Sequence, residues 1–181
     1  LFTHANEVTQ NNYIAYNNCG VAYGKLGRWQ DAIDAHKQAI KIKPDYTNAH
    51  NNLGVAYGER GRYQDAIEAY KQAIRIKPDF AEAHYNLGIA YGKLGRWQEA
   101  IENFSQATRI KPDYAEAHYN RGVAYGERGR YQDAVESYKQ AIRIKPDYTE
   151  AHYYLGVAYG KLGRWQEAIE SYNHPTSVVQ D

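Results

Sequence analysis

The chain has 181 residues, 43% of them hydrophobic and 24% charged, with a formal net charge of +1. That balance suits one soluble domain with a core, and it lacks the strong basic excess of a nucleic-acid surface. No apolar run approaches the length of a bilayer span, and Leu1–Gln10 lacks the basic-then-apolar order of a signal peptide.

The chain holds no methionine and starts at Leu1, so a processed chain or a piece of a longer one is expected. Its first residues already carry a pattern seen further on. One register places Phe2 over His36 and Tyr70, and Ala5 over Ala39 and Ala73. Residues 1–10 are therefore expected to be a remnant of a preceding repeat's second helix. Cys19 is the single cysteine and has no partner for an internal disulfide, which leaves the redox compartment, and the localisation, open.

From there a 34-residue period governs the chain. Pro44, Pro78, Pro112 and Pro146 keep it, as do Gly20, Gly54, Gly88, Gly122 and Gly156. Tyr23, Tyr57, Tyr91, Tyr125 and Tyr159 follow the same step, and so do Ala32, Ala66, Ala100, Ala134 and Ala168. The period divides the chain into 11–45, 46–79, 80–113 and 114–147, then a truncated fifth repeat at 148–173 and a tail at 174–181. A second rhythm lies on top: odd repeats read Gly-Lys-Leu-Gly-Arg-Trp and even ones Gly-Glu-Arg-Gly-Arg-Tyr. Duplication of a two-repeat unit accounts for both.

Within one repeat, Asp79 and Glu82 have capping-box spacing, and Ala83, Leu87, Ala90 and Tyr91 form an apolar helical stripe. Gly95 breaks that helix. A second stripe runs from Trp97 through Ala100, Ile101, Phe104 and Ala107 until Pro112 stops it. Neither stripe is covered inside one hairpin, so hairpins must stack. The expected fold is all-α, a right-handed α-solenoid of stacked helix-turn-helix repeats. Pro175 ends the last helix near Asn173, and the uncapped ends point to end-to-end homo-oligomers.

The combination of Leu87-Gly88, Tyr91, Ala100, Phe104, Ala107 and Pro112 resembles the tetratricopeptide repeat, over roughly residues 13–173. The resemblance implies a superhelix whose first helices line a concave groove, and a protein or peptide partner. The stretch from Leu1 to Asn18 also resembles the junction that follows the membrane domain in some bacterial membrane glycosyltransferases. That likeness implies an accessory arm, and a structural or oligomerising spacer is the related alternative.

The face opposite the core stripe then becomes the candidate site. In the third repeat it holds Glu82, Tyr85, Asn86, Ile89 and Lys93. Asn18, Asn52, Asn86 and Asn120 stand two residues before the repeat glycines, and Tyr154 takes that place in repeat five. An amide offers a donor and an acceptor together, which suits one peptide unit of a ligand backbone. With helices ~8–10 Å apart and an extended chain advancing ~3.3–3.6 Å per residue, one rung meets about every third ligand residue. The preceding position holds Asn17 and Asn51, then Tyr85, Tyr119 and Tyr153, so the groove should grow more aromatic toward its C-terminal end. Glu82, Glu116 and Glu150 occupy positions where a clamp for terminal carboxylates needs basic residues. They would repel a free carboxylate and favour neutral or basic segments.

Other signals fail on geometry. His50, His84, His118 and His152 lie one repeat apart, too far to share a metal, so edge hydrogen bonding is expected of them. Gly20-Val-Ala-Tyr-Gly-Lys25 is one residue short of a phosphate loop and has no strand before it. Asp31, Asp65, Glu99, Asp133 and Glu167 open second helices, where the helix dipole favours them. Arg121 and Cys19 replace leucines of sister repeats. Arg121 is expected to pack its stem and send its head to the edge, and Cys19 to act as a small core residue. Nothing assembles a nucleophile, base and orienter, so neither an enzyme nor a cofactor is expected.

Overall fold

A computed structural model describes residues 2–173, with side chains from residue 12 onward. Among the described residues there are ten helices and no strand. They are α1 (Phe2–Lys25), α2 (Trp29–Ile42), α3 (Thr47–Glu59), α4 (Tyr63–Ile76) and α5 (Ala81–Lys93), then α6 (Trp97–Ile110), α7 (Ala115–Glu127), α8 (Tyr131–Ile144), α9 (Thr149–Lys161) and α10 (Trp165–Tyr172). Two compact units divide between Leu94 and Gly95. In the first, α1 pairs with α2 and α3 with α4, while α2 meets α3, α4 meets α5, and α3 touches α1 and α5. In the second, α7 pairs with α8 and α9 with α10, α6 packs on α7, α8 on α9, and α7 touches α9. Each unit is thus a stack of helical hairpins, the all-α solenoid class that the period predicts.

The hairpin turn is built the same way in both units. Gly61 sits at φ 72° after α3, and the N–H of Arg62 returns to the carbonyl of Tyr57 at 2.9 Å. Only glycine adopts that left-handed conformation without a Cβ penalty, and the six-to-one bond satisfies an orphan carbonyl. The same arginine lies over the Tyr57 ring, 4.4 Å from its centroid, and donates from Nε to Asp65 at 2.7 Å. In the second unit Arg130 lies over Tyr125 and donates to Asp133 at 2.9 Å. The acidic residues that open the second helices therefore also hold the turn arginine. Even-repeat arginines tie neighbouring repeats as well: Arg60 donates to Gln30 at 2.7 Å, and Arg128 to Gln98 at 2.9 Å.

The core is built from alanines and rings. Ala32, Ala49, Ala66 and Ala83 are buried in the first unit, and Ala117, Ala134 and Ala151 in the second, beside the fully buried Ile33, Ile67 and Val135. Facing them within the units, rings of second helices lie against glycines of first helices. A methyl on Gly54 would stand 2.5 Å from Tyr70 Cε1, and one on Gly122 2.6 Å from Tyr138 Cε1.

Two local expectations change. α5 starts one residue later than a capping box headed by Asp79 would place it: Phe80 is the N-cap, with no side-chain cap hydrogen bond. The Phe80 carbonyl instead accepts from Ala83 and His84, and His84 returns to the Pro78 carbonyl. α1 runs unbroken from Phe2 to Lys25. On α1, Ile14, Tyr16 and Val21 are exposed, and Cys19 is exposed rather than core. α10 ends at Tyr172 with Asn173 as its C-cap, where Pro175 was expected to stop it; the tail itself lies outside the described residues.

Candidate functional site

Asn18, Asn52, Asn86 and Asn120 lie on the first helices α1, α3, α5 and α7, and the amides of Asn52 and Asn86 are held by side chains of the preceding repeat. Asn52 on α3 donates from Nδ2 to Oδ1 of Asn17 on α1 at 3.1 Å. Asn86 on α5 donates to Oδ1 of Asn51 on α3, also at 3.1 Å. Asn52 and Asn86 therefore each use one amide proton on the preceding repeat and keep a second proton and a carbonyl oxygen. Asn17 is 6% exposed and also meets His36 Nδ1 at 3.1 Å, so it serves packing between repeats. Asn18 is exposed, and Asn120 Nδ2 donates to the Glu116 carbonyl one turn back. Glu82, Glu116 and Glu150 are exposed.

Where asparagines give way to tyrosines, rings replace the amide contact. Tyr119 and Tyr154 hold the positions of Asn17 and Asn52 in the second unit, with centroids 5.9 Å apart, edge to face. Tyr119 also stands 5.0 Å from Tyr148, and Tyr153 meets Tyr154 at 5.3 Å. Burial pushes the Tyr119 hydroxyl up to about 12, with Tyr154 and Glu150 adding to the effect. Tyr153 and Tyr154 remain 55% and 40% exposed, enough for contact with a partner. Tyr85 is half-buried on α5.

Concavities open on the same face. In the first unit Val55, Glu59, Tyr63, Tyr70, Asn86 and Ile89 line one of about 330 Å3. In the second, Val123, Glu127, Tyr131, Tyr138, Tyr154 and Val157 line one of about 360 Å3. Both approach the smaller end of ligand sites, roughly 300–1,000 Å3.

The histidine ladder does edge bonding. Nε2 of His50, His118 and His152 meets the carbonyl of Pro44, Pro112 and Pro146 at 2.8, 3.0 and 2.8 Å. No cluster of metal-ligating side chains occurs among the described residues.

Arg121 departs from expectation. Its head does not run to the edge but turns into a polar nest, donating from Nε to Ser137 Oγ at 3.2 Å and from Nη1 to Thr108 Oγ1 at 3.3 Å. Its Nη2 lies 3.4 Å from His118 Nδ1, and burial lowers its pKa. Thr108 stands where sister repeats have Ile40, Ile74 and Ile142, and Ser137 where two have Ala35 and Ala69. Three polar residues, each a departure in a different repeat position, thus meet in space. That coincidence of departures was the sequence signal for Thr108 and Ser137.

The model for the TPR repeat matches residues 23–61, 57–95, 93–128 and 124–163. Among curated proteins, none matches this chain. Among solved structures, a crystal structure of MamA is 32% identical, covers 84% of this chain and 90% of its own, and superposes with a TM-score of 0.81. MamA 41-end from Desulfovibrio magneticus RS-1 shares the fold at 20% identity and a TM-score of 0.82, over 89% of this chain and 91% of its own. YrrB does so at 21% identity and 0.77, over 94% of this chain and 88% of its own. The glycosyltransferase likeness of Leu1 to Asn18 gains no support from these matches. With hairpins, turn glycines and ring-on-glycine contacts repeating at the period that the family model matches, this chain belongs to the tetratricopeptide repeat family.

Proposed function

We propose that this chain is a protein-interaction scaffold that holds an extended peptide along the face of its first helices. Asn18, Asn52, Asn86 and Asn120 act as polar rungs, and Tyr85, Tyr119, Tyr153 and Tyr154 as aromatic contacts. The observation that carries the reading is the pair of bonds from Asn52 to Asn17 and from Asn86 to Asn51. They fix each amide before any ligand arrives, and a preorganised group loses less entropy on binding. The YrrB structure is described as a TPR protein with an unusual peptide-binding site, and the same class of ligand is assigned here. The exposed Glu82, Glu116 and Glu150 favour neutral or basic segments over terminal carboxylates.

A peptide array tests this, run on the full chain beside a variant with Asn52, Asn86 and Asn120 all changed to Ala. Hits that disappear in the variant at unchanged helicity support the rungs. An array without hits, or hits indifferent to the variant, points to a spacer or oligomerising role instead.

A further inference from the structure

The two-repeat rhythm of the sequence has a counterpart in space. Where tryptophan heads the second helix, its indole covers a bare strip of the first. A methyl on Gly24 would lie 3.0 Å from Trp29 Cζ3, and one on Gly160 3.5 Å from Trp165 Cζ3. Alternate repeats have Tyr63 and Tyr131 in that place, and the corresponding Gly58 and Gly126 have nothing within 4 Å of where a Cβ would stand. The uncovered glycine helps line the cavity in each unit, about 330 Å3 beside Tyr63 and about 360 Å3 beside Tyr131. The cavity beside Trp29 is about 180 Å3.

We propose that each of these two cavities is a side-chain pocket that takes one large aromatic residue, tryptophan foremost, presented by a peptide partner. This rests on the peptide-scaffold reading and names the ligand chemistry. The chain itself shows what covers such a strip, because in sister repeats its own indole does. The walls suit a ring: Tyr70 and Tyr138 are buried aromatic surfaces, and Val55, Ile89, Val123 and Val157 are aliphatic. The charges at the mouth cancel, since exposed Glu59 and Lys93 line one pocket and exposed Glu127 and Lys161 the other. A neutral ring on a dipolar backbone fits that pair better than a side chain of either charge.

The pocket can be closed with a residue the fold already accepts. Tyr63→Trp and Tyr131→Trp copy the odd repeats, so the double variant should keep its helicity. N-acetyl-L-tryptophanamide is titrated into the full chain while the amide resonances of Gly58 and Gly126 are followed. Saturable shifts at both glycines, weakened about tenfold or more in the double variant, are expected from loss of one buried aromatic contact. Absence of saturable shifts, or shifts undiminished in the variant, overturns the proposal. The same variant is run on the peptide array. Aromatic-rich hits that fail on it support the pockets. Hits sensitive to the asparagine variant yet indifferent to the tryptophan one overturn the pockets and leave the scaffold reading standing. Probe shifts at the glycines with an array free of hits support the pockets and remove the extended-peptide reading.

Discussion

Asn52 donates through Nδ2 to Oδ1 of Asn17, 3.1 Å away and 35 residues earlier in the chain. His36 bonds to the same oxygen from the second helix of Asn17's own hairpin, also at 3.1 Å. One buried oxygen thus ties three helices, α1, α2 and α3. The exposed face and the packing between repeats share the same side chains.

Asn17→Ala should therefore destabilise the chain by roughly 1–3 kcal/mol, because it leaves the half-buried Asn52 donor and the buried His36 donor without an acceptor. Asn51, half-buried, accepts from Asn86 alone among the described residues, so Asn51→Ala should cost less. Urea unfolding followed by circular dichroism orders the two. An equal loss would show that the shared oxygen is not the source.

The same site makes stability depend on pH. Burial lowers the His36 pKa to about 4 from its ordinary 6.5. Between those values the unfolded chain binds the proton and the folded chain does not, so the contribution is complete above pH 6.5 and declines as pH falls toward 4. The full span amounts to roughly 2–4 kcal/mol. Unfolding midpoints at pH 7 and pH 5 should differ more for the native chain than for His36→Tyr, which carries the residue of repeat two. Parallel pH profiles would contradict the assignment.

Two glycines in one helix should respond with opposite signs. Gly54→Ala drives a methyl to 2.5 Å from the buried Tyr70 ring and should cost about 1–3 kcal/mol. Gly58→Ala meets nothing within 4 Å and should raise stability by up to ~1 kcal/mol through helix propensity. Thermal melts of both variants distinguish a packing requirement from simple repetition.

Arg121 offers a test of a half-buried charge. Without it, Ser137 still donates to the Asp133 carbonyl, Thr108 to the Ser105 carbonyl, and His118 still meets Pro112. Arg121→Leu, the residue of three sister repeats, should thus be neutral or stabilising by up to about 2 kcal/mol. Arg121→Ala leaves a cavity and should destabilise. Chemical denaturation decides; a large loss in the leucine variant would mean that the polar nest stabilises the unit.

The hairpins, their turns and the core alanines were legible in the sequence because each depends on spacing within one repeat. A stripe at helical period and a glycine at a break are local facts, and repetition at one step multiplied the signal. The acidic residues at Asp65 and Asp133 were readable only in part. Their place at a helix start suggested the dipole, while the arginine clamp depends on how the turn folds back. Asp79 misled because a capping box is a spacing rule, and here the chain enters α5 through Phe80.

The sequence by itself determined that this chain is all-helical, where its hairpins bend and which face of each first helix turns away from the core stripe. Only the tertiary structure decided that Asn52 reaches Asn17, that Thr108, Ser137 and His118 converge on Arg121, and that exchanging tryptophan for tyrosine uncovers Gly58 and Gly126. The physical reason is range. Helix periodicity is set by neighbours three and four residues apart, whereas these contacts join side chains on different helices, and their distances exist only once the hairpins have stacked.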